Sequence, residues 1–163
     1  MTTDTLVAYA LSGTPASLPS GLAVSLRSTV RVDASASFDI AFDFDPQGRT
    51  VVSPARVVVS PLRGNVPSVG IQTSPLSFDA ITVAPNGYYR PDTALVVSPG
   101  QAFVVLAARS TASQACLLTP SPHIYAKIVI DSVKPATTRA IYLRQTVDPN
   151  CGYKSFLPGL PSK

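Results

Sequence analysis

His123 is the only histidine in the chain, so any Ser-His-Asp or Cys-His chemistry would have to run through it. It stands between Pro122 and Ile124 at the entrance of a strand-like run. Ser and Asp are plentiful, yet no G-x-S-x-G elbow accompanies it, and one histidine with abundant Ser and Asp fits a triad in almost any sequence of this size. His123 is therefore read as a strand-end residue. Cys116 and Cys151 are the only cysteines, with no C-x-x-C pair and too few companions for a structural zinc site. Their simplest use is one disulfide, which excludes a thiol pair with His123 and implies an oxidising compartment. That bridge would close a loop of about 35 residues, worth about 3.8 kcal/mol in the chain-entropy model. The alternative is two buried free thiols in a reducing compartment. The loop-like settings, Ser-Gln-Ala-Cys116 and Asp-Pro-Asn-Cys151-Gly, favour a staple at the surface.

Asp39, Asp43 and Asp45 share one parity, so on a single strand they would line its polar face, neighbours two residues on being about 7 Å apart. Asp43-x-Asp45-x-Gln47-Gly48 also resembles the start of a calcium loop, but Pro54 stands where the bidentate Glu should close it. Asp43 and Asp45 are thus a weak Ca²⁺ candidate, and otherwise solvate the strand and open its turn. Nothing raises one carboxyl over another as a glycosidase pair requires.

The loop Asn86-Gly87-Tyr88-Tyr89-Arg90-Pro91-Asp92 is the best candidate binding site. Adjacent tyrosines point opposite ways on an extended backbone, so one can stack on a sugar ring or a partner while the other anchors the loop. Otherwise both rings lie against the end of the fold. Tyr88, Tyr89 and Arg90 are the contact residues expected here. A second candidate is the run Thr5–Leu11, containing Leu6, Val7, Ala8 and Tyr9. Followed by the Ser/Pro-rich stretch Ser12–Gly21, it could pair within its own domain or add to a neighbour's sheet edge.

These side chains need a frame, and the frame is written in period two. Phe38, Ile40, Phe42 and Phe44 fall on one parity, with Asp39, Ala41 and Asp43 on the other. Asp45-Pro46-Gln47-Gly48 is turn chemistry, and Thr50–Val59 should return antiparallel, with Pro54 marking an edge or a bulge. Further strands are expected over Leu22–Leu26, Val30–Val32, Val66–Gln72, Leu76–Val83, Thr93–Ser98 and Gln101–Arg109, the last two flanking a Pro99-Gly100 hairpin connection. His123–Val133 and Thr138–Val147 form the clearest hairpin, with Ile124, Ala126, Ile128 and Ile130 on one face. That gives about 9–10 strands with little or no helix, and two packed antiparallel sheets: an all-β sandwich, immunoglobulin-like or jelly-roll-like.

Residues 1–163 fit one domain, with an N-terminal strand and linker over 1–21 and a loop-like tail over 149–163. Charged residues are only 13% of the chain, all nine acids are Asp, and there are sixteen Pro. The net charge of +4 comes from scattered Arg and Lys, with no basic cluster and no aromatic-rich RNA-binding signature, so nucleic acid is not an expected partner. No apolar run reaches membrane-spanning length, and Met1-Thr2-Thr3-Asp4 is not a signal peptide. With the cysteines and the Ser/Thr-rich composition, this reads as an exported mature chain carrying an added Met, located outside the cytoplasm. One His and no Glu argue against an enzyme, and no cofactor is implied. The expected function is a structural, adhesive or assembly subunit that self-associates or binds a protein; the alternative is a carbohydrate- or small-ligand-binding module using Tyr88 and Tyr89.

Overall fold

A computed structural model describes residues 1–33, 38–59, 68–108, 116 and 122–159. Among these described residues ten strands and one short helix follow in order: β1 (Thr3–Tyr9), β2 (Gly21–Ala23), β3 (Ser28–Val30), β4 (Ile40–Phe44), β5 (Thr50–Pro54), α1 (Ala55–Val58), β6 (Gly70–Thr73), β7 (Leu95–Val97), β8 (Ala102–Ala108), β9 (His123–Lys134) and β10 (Ala140–Asp148). They form two antiparallel five-stranded sheets, ordered β1-β10-β9-β8-β6 and β3-β2-β4-β5-β7. The all-β sandwich is thus observed. Its core joins Leu22, Ile40, Phe42 and Val52 of the second sheet to Ile71, Phe103, Ile124, Ile128 and Leu143 of the first. No helix among the described residues is long and apolar enough to cross a membrane.

The β9–β10 hairpin follows the alternation: Ile124, Ala126, Ile128, Ile130, Ile141 and Leu143 are fully buried. A bulge at Asp131 sets Ile130 against Leu143 and Ser132 against Tyr142. The extra residue is aimed at Arg144, whose Nε and Nη2 donate to the Asp131 carboxylate at 2.9 Å. The opposite parity of β9 is also buried, because residues 76–84 and the tail cover the outer face of this sheet. Phe78, Ile81, Ala84 and Phe156 join Tyr125 and Val129 in a second cluster there. Lys127 lies beneath them, 7% exposed, and its Nζ donates to the carbonyls of Phe78 and Ile81, both at 2.9 Å. Burial lowers its pKa, opposed by Asp79.

Four local expectations are corrected. Leu76–Val83 is not a strand: Ala80 and Ile81 both donate to the Ser77 carbonyl, a helical turn that drops Phe78 and Ile81 onto the sheet. Only Val83 pairs, with Ser155. Thr50–Val59 breaks at Pro54, after which Ala55–Val58 turns into α1. Its β-branched residues favour a strand, but the turn lets Ala55 and Val59 cover Phe38 on the outside of the second sheet. Strand β7 ends opposite Val52, so Pro54 removes no ladder bond on that side. Pro99-Gly100 does close a type II turn, with Gly100 at φ +85° and Gln101 donating to the Ser98 carbonyl at 3.0 Å. It is an arch rather than a hairpin, since β7 belongs to one sheet and β8 to the other. Lastly, residues 12–20 are docked rather than a loose linker. Leu11 donates to Phe42, Tyr9 to Pro19, and Phe42 to Ser20, at 2.8–2.9 Å.

Cys116 and Cys151 are disulfide-bonded, with Cα atoms 5.3 Å apart. The bridge is not at the surface: the two residues are 8% and 1% exposed and belong to the main core. The expected strand segment Val66–Pro67 lies outside the described residues.

Candidate functional site

Tyr88 and Tyr89 part company on one loop. Tyr89 is half-buried, with its hydroxyl donating to the Pro85 carbonyl at 3.0 Å and its ring 6.0 Å from that of Tyr125 at 57°. Burial, then the neighbouring Tyr125, holds its phenol well above the ordinary tyrosine range. Its seat is Gly70, where an added Cβ would stand 2.5 Å from Tyr89 Cβ. A glycine inside a strand pattern marks such a close approach. Replacing it is expected to unseat the anchor: Gly70→Ala should cost about 1–3 kcal/mol. A thermal melt within error of wild type would show that the anchor does not need this space.

Asn86, Gly87 and the Arg90 backbone are tied as well. Gln72 Nε2 donates to the Gly87 carbonyl at 2.7 Å, and Lys154 Nζ donates to Asn86 Oδ1 at 2.7 Å. Arg90 and Ile71 exchange two backbone bonds of 3.0 and 3.1 Å, adding an isolated bridge to the edge of β6. Against this fixed base Tyr88 adopts φ +68° and is 94% exposed. A left-handed backbone for a bulky L-residue costs about 1–2 kcal/mol. Sequence reasoning left open whether one ring packs or both; here only Tyr89 packs, against Gly70, and the positive φ of Tyr88 replaces the extended geometry assumed.

The other candidate residues do not converge with this loop. Asp43 Oδ1 accepts from the Ser12 hydroxyl at 2.7 Å and lies 3.7 Å from Arg139 Nη2. Asp45 is the turn anchor, accepting from the backbone of Gln47 and Arg49 and from Arg49 Nε, which lower its pKa against the opposing effect of desolvation. Asp39 does not share their face: it precedes β4, is 7% exposed, and accepts from the Val24 amide at 2.7 Å. Burial, offset by that bond, raises its pKa to about 6. Among the described residues no three His, Cys, Asp or Glu group as metal ligands would. His123 opens β9, where its carbonyl accepts from the Gly152 amide at 2.8 Å. Both cysteines being bridged, no thiol is available to it.

In the N-terminal run, Leu6, Val7, Ala8 and Tyr9 pair in-domain with β10, opposite Leu143, Tyr142, Ile141 and Ala140. Leu6 and Ala8 belong to the core side. Arg27, at φ +55°, locks the start of this strand by donating from Nε and Nη2 to the Asp4 carboxylate, both at 2.8 Å, and from Nη2 to the Thr2 carbonyl and hydroxyl. Arg27 and Lys127 are structural residues that sequence reasoning passed over, because each partner is more than twenty residues away. No family model matches this chain, and no curated protein is detectably similar to it.

Proposed function

We propose that this protein is a non-catalytic, extracytoplasmic β-sandwich that acts by its surface as an adhesive or assembly subunit, with the Tyr88 loop as its contact. The observation that carries this reading is Tyr88 itself, 94% exposed at positive φ between Gly87 and Tyr89, which are both held by hydrogen bonds. A fold does not hold an aromatic ring outward at an energetic cost for its own stability, and such strain concentrates where a site needs it. Tyr and Arg are also the residue types that dominate contact energies, and Arg90 stands exposed two positions on. A ring so far from the surface is convex, suited to insertion into a partner's pocket. Small-ligand sites are concave. The buried disulfide supports an oxidising compartment.

A carbohydrate-binding reading has one observation of its own: both faces of the Tyr88 ring are open to stacking. The two readings separate by experiment. Tyr88→Gly should relieve the strained backbone, raising Tm by a few degrees at about 2–4 °C per kcal/mol. The same change should weaken re-binding of the protein to cells stripped of it by at least about tenfold, the loss of one good anchor. Retention of wild-type binding by this variant would remove the loop from the contact. Competition by a free glycan in the same assay would transfer the site to the carbohydrate reading.

A further inference from the structure

Among the described residues the sandwich has four sheet edges, and three are blunted. Strand β6 is bridged by Arg90, while β3 and β7 are three residues long. Short strands and added cover are the usual protection against edge pairing. The fourth edge, β1, is seven residues long and runs along β10 without a register shift. Tyr9 donates away from β10, to Pro19, whereas Ala10 donates to Arg139. By antiparallel alternation Asp4, Leu6 and Ala8 turn their backbone groups to β10, and Thr3, Thr5 and Val7 turn theirs outward. Among the described residues those outward groups have no hydrogen-bond partner.

The outward row carries no Lys, Pro or charge of its own. Two nearby charges are already neutralised: Arg27 is paired with Asp4 at 2.8 Å, and Arg144, which lies opposite Thr5, with Asp131 at 2.9 Å. A chain with net charge +4 can therefore bring this edge close to its own copy with little local repulsion. We propose that β1 is an interface to a second copy of this chain, the two β1 strands pairing antiparallel about a two-fold axis at Thr5. Thr5 then faces Thr5, Thr3 faces Val7, and two five-stranded sheets become one continuous sheet. This interface is separate from the Tyr88 loop.

Edge pairing of this length buries less than about 1,000 Å², so the dimer should dissociate on dilution. Deleting Met1–Ser12 would be a blunt test, since it removes the β10 ladder as well. Thr5→Pro is sharper, because the amide it removes points away from β10, and Pro is tolerated on the outer side of an edge strand. Sedimentation velocity over a wide concentration range should show the wild type moving from 17.0 kDa toward twice that mass. Thr5→Pro should raise the midpoint concentration at least tenfold with unchanged circular dichroism. Val7→Lys, which places a charge on the same edge without touching the backbone, should do the same and decides the matter if the proline variant misfolds. Tyr88→Gly should leave the midpoint where it is. A wild type that stays monomeric to millimolar concentration overturns the proposal. So does a dimer that ignores Val7→Lys, or one that dissolves with Tyr88→Gly.

Discussion

Replacing both Cys116 and Cys151 with alanine is expected to lower stability by about 4 kcal/mol, the closure entropy of a loop of this size. For a domain whose whole stability is of order 5–15 kcal/mol, that is a large share. The loss should also be felt away from the bridge. Beyond Cys151 the tail is held by Gly152 to His123, by Lys154 to Ala84 and by Phe156 to Thr82, each at 2.8 Å. Through these bonds the disulfide holds the layer containing Phe78, Ile81 and Phe156 against the outer face of the first sheet. Denaturant unfolding of the native and the Ala/Ala proteins measures the difference. Because both cysteines are core residues, reductant should act on the folded wild type only as fast as the protein opens. Equal midpoints for the two proteins, or instant reduction under native conditions, would contradict this account of the bridge.

Asp39→Asn is expected to stabilise the protein above pH 6 and to change little below pH 4. The folded-state pKa of Asp39 is raised to about 6 from its ordinary value of 3.8, chiefly by burial. A carboxyl with a raised folded pKa binds more protons folded than unfolded between those values, so its contribution to stability falls as pH rises through them. The full effect across the window is about 3 kcal/mol at 1.36 kcal/mol per unit, an upper figure for a group still in contact with the surface. Asparagine keeps an oxygen to accept from the Val24 amide and has nothing to ionise. Asp148, also raised by burial, titrates in the same direction, so the comparison must be the variant against the wild type at each pH. Parallel pH profiles for the two proteins would sink the assignment.

The pattern of β9 shows how far the sequence carries and where it stops. Ile124, Ala126, Ile128 and Ile130 announce a core face by simple alternation. Lys127 on the other parity reads as a solvent residue, and only the arrival of Phe78, forty-nine positions earlier, makes it a buried latch. Pro99-Gly100 is similar: two residues dictate the turn type, but not whether the flanking strands share a sheet, which depends on partners elsewhere in the chain. At Ala55–Val58 local propensity pointed to a strand and tertiary cover of Phe38 prevailed. That Tyr88, Tyr89 and Arg90 share one loop was legible because they are adjacent. The choice of anchor was not, because it was made by the missing side chain of Gly70.

The pairing of the first strand with the last has a consequence in time. Thr3 lies opposite Thr146, so a chain emerging from its N-terminus has β1 in hand long before β10 exists. Contacts of such long sequence separation close late and slowly. Until then β1 has both sides unpaired, and the interior it covers stays open. During this interval a neighbouring copy's β10 competes with the chain's own. Crowding many chains at one exit should therefore yield strand-exchanged pairs that dilution does not readily separate, whereas slow, dilute refolding should yield the closed form.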